Sequence, residues 1–483
     1  MELERLVAAL APEAVLGSPD PVEVRDLAYD ARAVTPGAAF FAVPGERADG
    51  HDFAVEAVER GASVLVVERA VEPDVPQLLV PSCRAAMATA ADVFFGEPTR
   101  ELEVAGVTGT SEKTTTAFLL HSVLEAAGRQ AGLLGTVECR VGGAVRPVVR
   151  TTPEAIDLQR TFREMLAAGD RSVALEASSH ASVLHRLDRV RFDVLVFTNL
   201  SQDHLDFHES MEDYFAAKRR LFTGAAPPPA AVNVGDAWGR RLAEELADVN
   251  RAPLVTFGFA DDAEIRPEGL ELGPSGATFT AGGIEIVTPL RGRFNVENVL
   301  GVVAAAILLG VDEEEIAAGI AALHGVPGRF ETVDEGQPFT VVVDYAHKPD
   351  ALDNVLRTAR ELTEGRVLVV VGAGGDRDRQ KRPLMGKVAR DLADVVIVTA
   401  DNPRSEEPLA IIQDILQGAG TDVEIDPDRR SAIGRAIELA EPGDVVVIAG
   451  KGHEQGQEIA GEKLPFDDRA VAREALVLQR RGT

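Results

Sequence analysis

Apolar runs of strand length in this chain end repeatedly in clusters of Gly, Thr, Asp, Asn, Lys and His. Gly109–Thr116 follows Leu102–Val107, and Glu176–His180 ends Ser172–Leu175. Asn199–His204 follows Val194–Phe197, Asp401–Arg404 follows Val395–Thr399, and Lys451–Glu454 follows Val445–Ala449. Amphipathic segments separate the runs. The alternation predicts α/β domains on mostly parallel sheets. Such sheets bind ligands beyond the carboxyl ends of their strands. The polar clusters therefore belong on binding edges, and two such edges are expected to face each other across a cleft.

With 483 residues the chain is too long for one ordinary core, and three regions separate. Residues 1–102 hold short mixed elements such as Ala39–Val43 and Ser63–Glu68. A nucleotide-loop region spans 103–327, with an Ala/Pro-rich loop at Thr223–Pro229. The last region, 328–483, carries strand candidates at Val341–Asp344, Arg366–Val371, Val395–Thr399 and Val445–Ala449. The first ten residues contain Glu2, Glu4 and Arg5 and lack the pattern of a secretory signal, and no apolar run is long enough to span a bilayer. The two cysteines, Cys83 and Cys139, form no disulfide framework and read as buried structural thiols of a cytoplasmic protein. A net charge of -29 argues against a nucleic-acid partner. Any attraction for anionic substrates must come from local groups.

Gly106-Val-Thr-Gly-Thr-Ser-Glu-Lys-Thr-Thr-Thr116 lies between a predicted strand and a helix packed through Phe118, Leu119, Val123 and Leu124. In a phosphate loop, backbone N–H groups cradle the anion, Lys113 contacts terminal phosphates and Thr114 binds a metal ion. An ordinary strand–turn–helix is the plainer alternative. Glu112 occupies the position before the lysine, where two charges 4 Å apart would repel by about 4 kcal/mol at an effective dielectric of about 20. The loop edge is expected to face solvent, so Glu112 should weaken ATP binding unless it turns outward or meets a cation.

Glu176 ends an apolar strand, where a metal-binding carboxylate is expected, and Asp203 and His204 follow another. Oxygen ligands suit Mg²⁺, and a histidine can join them. On the helix expected over Met211–Phe222, Lys218 shares the apolar face of Tyr214 and Phe215, whereas Arg219 and Arg220 do not share it as well. A lysine so placed normally snorkels outward.

Read together, these segments resemble the Mur ligase family. The loop resembles Gly-Thr-x-Gly-Lys-Thr-Thr, with Glu112 in place of the second glycine. Glu154-Ala-Ile-Asp, Glu176-Ala-Ser-Ser-His180, Asn199-Leu-Ser-Gln-Asp-His-Leu-Asp-Phe-His208 and Tyr214-Phe-Ala-Ala-Lys218 match the family's central domain in order. The resemblance implies a three-domain α/β ligase with a central P-loop-type ATPase domain and a Rossmann-like C-terminal domain. It implies a CO₂-derived carbamate on Lys218, which would share Mg²⁺ with Thr114, Glu176 and His204. Lys113, Lys218, Glu176 and His204 become the expected catalytic set. Gly109, Thr110, Ser111, Lys113, Thr114 and Thr115 are the expected ATP loop. Arg293-Phe-Asn-Val-Glu-Asn298, Gly325-Val-Pro-Gly-Arg-Phe-Glu331 and Asp344-Tyr-Ala-His347 resemble further family motifs, implying ATP contacts from Asn295, Asn298, Arg329 and Asp344, with His347 in the closed site. The family's next residue is usually Thr; here it is Lys348.

Asp401-Asn-Pro-Arg404 alone is a turn before the helix Leu409–Leu416. It resembles the family form that selects meso-diaminopimelate, whose distal carboxylate suits a guanidinium fork. The resemblance places Arg377, Asn402, Arg404, Gly450 and Glu454 around that amino acid. Tyr29-Asp-Ala-Arg32 resembles the uridine-binding Tyr-Asp-Ser-Arg with Ala31 in place of the serine. Thr151, Thr152, Ser178 and Arg186 match positions holding the muramoyl-dipeptide donor. The implied activity joins UDP-N-acetylmuramoyl-L-alanyl-D-glutamate to meso-diaminopimelate with ATP and Mg²⁺, by a monomer. The alternatives are a ligase with another acceptor, a relative with a changed substrate, or a non-catalytic relative that binds a cell-wall precursor.

Overall fold

The computed structural model describes residues 1–17, 22–45, 48–224, 226–249 and 251–482. Three large sheets follow one another along the chain. The first joins β1 (Ala14–Leu16), β2 (Asp26–Ala28), β3 (Ala38–Phe41), β4 (Val64–Val67) and β5 (Gln77–Leu79) in the order β1-β5-β4-β3-β2. Only β1 runs antiparallel to its neighbour.

The second sheet contains β6 (Glu103–Thr108), β7 (Ala131–Leu134), β8 (Cys139–Val141), β9 (Ala144–Arg146), β10 (Ser172–Glu176), β11 (Val194–Phe197), β12 (Ala230–Asn233) and β13 (Leu254–Phe257). Their order is β13-β12-β11-β6-β10-β7-β8-β9, parallel from β13 to β7. Thus β6 lies between β11 and β10, and the carboxyl ends of all three open on one edge. Helix α1 (Lys113–Ala126) leaves β6, and α2 (Met211–Arg219) follows β11. Helix α3 (Arg293–Leu308), nearly all apolar in its middle turns, packs with α1 in one buried cluster. A small antiparallel sheet of β14 (Glu268–Gly273), β15 (Gly276–Ala281) and β16 (Ile284–Thr288) covers that cluster.

The third sheet joins β17 (Glu331–Thr332), β18 (Thr340–Asp344), β19 (Val367–Val371), β20 (Val395–Val398), β21 (Glu424–Ile425) and β22 (Val445–Ala449) in the order β17-β18-β22-β19-β20-β21. All pairs but β17–β18 are parallel. β19 reads Val-Leu-Val-Val-Val and is buried throughout, as expected for a strand covered on both faces. Helix α4 (Pro349–Glu361) follows β18.

The expected α/β architecture is present, and each polar cluster stands at the carboxyl end of its strand. The expected helix over 211–222 closes in a tighter 3₁₀ turn at Arg220–Phe222. In the expected loop at 223–229, residue 225 lies outside the described residues, and the rest form neither helix nor strand. Cys83 is buried, its thiol against the Val66 carbonyl, but Cys139 is only half-buried because it lies on the short β8 beside the exposed β9. Among the described residues no helix is long and apolar enough to cross a membrane.

Arg429 and Asp468 form a fully buried ion pair below the third sheet's binding edge, with N–O distances of 2.6 and 2.8 Å. The guanidinium also donates to the Ala449 and Ala400 carbonyls, at the ends of two strands. Removing one charge would leave the other uncompensated in the interior. Asp468→Asn should therefore lower stability by about 3–5 kcal/mol in denaturant titration.

Candidate active site

Gly109 turns out of β6 with φ 155°, and a Cβ there would lie 1.9 Å from Thr198 Oγ1. This close crossing of the β6 and β11 edges requires glycine. It also bares the Gly109 and Thr110 carbonyls. Lys113 Nζ donates to both, at 2.9 and 3.0 Å. Lys218 Nζ donates to Gly109 O at 2.7 Å and lies 4.5 Å from the Tyr214 ring centre. Lys348 Nζ donates to Thr110 O at 3.3 Å. Lys218 does not snorkel; it is 1% exposed. Burial, then Lys113 and Lys348, hold its amine well below the usual lysine range. Burial and Lys348 lower Lys113 to about 8.

Glu112 departs from the sequence expectation. It keeps the left-handed backbone a glycine would use, with φ 73° and ψ 0°. The residue is half-buried and also lines the larger cavity above the loop. Its carboxyl turns inward, where Asn199 Nδ2 donates to Oε2 at 3.4 Å, into a narrow crevice shared with Thr116, Glu297 and Asn298. Burial, then Glu297 and Asp350, push its pKa well above the carboxylate range. The protonated form removes the charge repulsion expected from the sequence. Asn295 and Asn298 bond each other at 3.0 Å, and Asn298 accepts from Thr116 at 3.3 Å, fastening α3 beneath α1.

Above the loop lies a cavity of about 550 Å³, lined by Thr110, Ser111, Lys113, Thr114 and Thr115 among others. Thr151, Thr152, Glu176, Ser178, Arg186, His204, Arg329 and Asp344 also line it. Glu176 is 1% exposed, and Thr136 donates to its carboxylate from N at 2.8 Å and from Oγ1 at 2.9 Å. A Cβ on Gly135 would lie 2.5 Å from Glu176 Oε1, so the small neighbour makes room for the carboxylate. Thr152 donates to the Glu176 carbonyl at 2.7 Å, and Arg186 is held by Glu154 at 2.8 Å. Burial drives His204 down to about 3 despite Asp203 at 3.0 Å. Arg329 Nη2 donates to Thr114 Oγ1 at 3.2 Å from across the cleft. The Asp344 carboxylate accepts from the Phe330 and Ala346 amides, each at 2.7 Å.

A second pocket, of about 190 Å³, gathers Arg377, Asn402, Arg404, Gly450 and Glu454. Asp203, His204, Tyr345, His347 and Arg377 line both spaces, so the two adjoin. Gly450 has φ 123°, and a Cβ there would lie 2.4 Å from Asp401 Oδ2. Lys451, fully buried, donates to Asn402 Oδ1 at 2.9 Å and Glu454 Oε2 at 3.0 Å. Arg404 is held by the Gly375 carbonyl and lies 3.6 Å from Glu458.

Ala31 lines neither space; it is buried in an apolar cluster of the first region. Lys218, Gly109, Asn295 and Asn298 likewise lie outside the linings, around or beneath the loop. Sequence reasoning missed Thr136 and Lys451. Both follow strand ends, so that pattern pointed to their segments, but the contact of Lys451 with Asn402 joins residues 49 apart in sequence.

Among the described residues no three His, Cys, Asp or Glu side chains form a metal-ready cluster. An oxygen-rich set of the Thr114 hydroxyl and the Glu176 carboxylate, with His204, nevertheless lines one cavity. Glu176 uses one hydrogen bond per oxygen, which leaves lone pairs for a hard cation such as Mg²⁺.

Residues 107–306 match the family model described as the Mur ligase middle domain. Residues 328–452 match "Mur ligase, glutamate ligase domain", and 23–95 match "Mur ligase family, catalytic domain". The chain is 47% identical to the UDP-N-acetylmuramoyl-L-alanyl-D-glutamate--2,6-diaminopimelate ligase of Streptomyces coelicolor, covering 97% of this chain and 96% of that protein. It is also 47% identical to the ligase of the same name from Solibacter usitatus, covering 98% and 96%. A solved structure of a ligase of that name superposes with a TM-score of 0.68 at 33% identity, over 95% of this chain and 96% of the other.

Because Glu112 has a folded pKa above its unfolded value, its protonated form contributes stability below the ordinary carboxylate range. That contribution is lost as pH rises through the elevated value. Glu112→Gln should therefore gain stability relative to the parent as pH rises above the ordinary carboxylate range, read as melting temperature in parallel scans.

Proposed function

The chain belongs to the Mur ligase family, and on that premise we propose that it joins meso-diaminopimelate to UDP-N-acetylmuramoyl-L-alanyl-D-glutamate in peptidoglycan precursor synthesis. It is an ATP-dependent amide-bond-forming ligase. The observation that carries the acceptor reading is the smaller pocket, where Arg377, Asn402, Arg404, Gly450 and Glu454 adjoin the phosphate-loop cavity. We place the domain boundaries after residues 102 and 327 and the reaction in the cytoplasm.

ATP transfers its γ-phosphoryl group to the γ-carboxylate of D-glutamate, giving an acyl phosphate and ADP. The diaminopimelate amine attacks the acyl carbon, the carbon–oxygen bond to phosphate breaks, and the amine loses a proton. The chain's part is positioning and charge neutralisation. Amides of the α1 N-terminus and Lys113 hold phosphate, Arg329 reaches it beside Thr114, and Asp344 and the Asn295–Asn298 pair support the nucleotide site. Thr151, Thr152, Ser178 and Arg186 hold the donor; Ala31 belongs to its uridine end. Arg404 takes the distal carboxylate of the acceptor and Glu454 its distal ammonium. Mg²⁺ held by Thr114, Glu176, His204 and a carbamate on Lys218 would neutralise phosphate charge.

Carbamate formation needs a neutral amine, whose nitrogen bonds CO₂ carbon and releases a proton. The depressed pKa of buried Lys218 supports this. Turnover by Lys218→Ala should fall below detection and recover in part with bicarbonate or a short carboxylate; full unaided activity would remove the carbamate from the mechanism.

The overall test incubates the protein with the dipeptide precursor, ATP, Mg²⁺ and each candidate amino acid, following phosphate release and product mass. Phosphate release with L-lysine but not meso-diaminopimelate would overturn the acceptor assignment, and precursor binding without phosphate release would indicate a non-catalytic relative. Arg404→Ala should raise KM for diaminopimelate at least about tenfold, with little change for ATP, since a charge-assisted bond contributes about 1.5–3 kcal/mol.

A further inference from the structure

Lys348 is unlike the other two lysines at the loop because the third sheet's side of the cleft delivers it. It caps the start of α4, directly before Pro349. Its side chain is 7% exposed, and its ammonium lies 2.8 Å from Asp203 Oδ2 and 3.3 Å from the Thr110 carbonyl. Both partners belong to the second sheet's edge. Asp350 strengthens the same junction by accepting from Ser201 Oγ at 2.5 Å. The first turn of α4 is therefore fixed at two points to the 201–203 segment, and Ser201 is itself tied to the loop, its amide donating to Thr110 Oγ1 at 3.1 Å. A threonine ends one atom beyond Cβ and could not carry a cation to Asp203.

Lys348 and Asp203 are both charges withdrawn from water, and each is strongly unfavourable there without the other. If the third sheet moves away, Asp203 loses its ammonium partner and Thr110 O loses a donor.

We propose that Lys348 is a positioning residue that makes the geometry of the phosphate loop depend on docking of the C-terminal region. Its kinetic consequence rests on the ligase reading, but its structural consequence does not. Hydrogen exchange of the full chain, read by mass spectrometry without substrates, separates the two. Lys348→Met should raise exchange at least about tenfold both in 109–116 and in 349–356, while Lys348→Arg stays within about threefold of the parent. Asp203→Asn should reproduce the paired increase, and it decides the question if Lys348→Met fails to fold. An increase confined to 349–356, or none, overturns the proposal. In turnover assays, Lys348→Met should lower kcat at least about tenfold with KM for ATP changed less than about threefold, and Lys348→Arg should restore most of it. An unchanged kcat in a chain that ligates overturns the positioning role. A chain that does not ligate leaves the exchange comparison to decide, and that failure belongs to the ligase reading.

Discussion

Three lysine side-chain nitrogens converge on two adjacent carbonyls, and the rest of the site is arranged around that fact. Lys113 rises from the loop, Lys218 from α2 and Lys348 from α4, and they meet at Gly109 O and Thr110 O. Like charges in a poorly hydrated site repel more strongly than in water. The cluster is tolerable because burial and mutual repulsion favour a neutral Lys218, and because Asp203 offsets Lys348. It is also a site prepared for anions: phosphate bound there converts repulsion into attraction, so nucleotide binding and folded-state stability are linked. This local positive charge answers the difficulty posed by a net charge of -29, because attraction at contact distance does not depend on the whole-molecule field.

The carboxylates around this cluster differ by environment, not by type. Glu176 receives two hydrogen bonds from Thr136 and faces the cavity. The Asp344 carboxylate is occupied by two backbone amides and braces the turn that carries His347. Glu112 is turned inward toward Glu297, where the neutral acid is favoured. It is a left-handed non-glycine residue at a phosphate loop, a strained backbone of the kind that persists only where the surroundings enforce it. Here they do: Asn199 holds both Glu112 Oε2 and the Ser111 amide.

Much of the fold was legible because parallel strands buried on both faces write themselves as unbroken apolar runs, and the polar residues after them mark the edge. Val367–Val371 and Val445–Ala449 are such runs. The place of Lys218 on the face of Tyr214 and Phe215 was legible from helical spacing, but its burial was not. That depends on the Gly109 carbonyl, 109 residues away in sequence. The inward turn of Glu112 was hidden for the same reason, since its surroundings come from Asn199, Glu297 and Asp350. Lys348 could be seen as a departure from a motif, yet nothing local says that its ammonium crosses the cleft. Side-chain direction at these positions is set by tertiary neighbours, which neither spacing nor composition records.

The two cavities share a wall, and that wall constrains both. Asp203, His204, Tyr345, His347 and Arg377 face both spaces, and Lys348 lines the larger one beside His347. A residue on that wall cannot change for one cavity alone, because it also sets the shape or charge of the other. Lys348 and Glu112 line only the larger of the two, where Lys348 pairs with Asp203 of the wall and with a backbone carbonyl, and the Glu112 carboxyl accepts from Asn199. Both substitutions thus introduce an ionisable group beside the loop while keeping a free charge away from the shared wall. The same geometry makes docking of the third sheet a condition for assembling either cavity, since each takes its lining from the strand ends of two sheets.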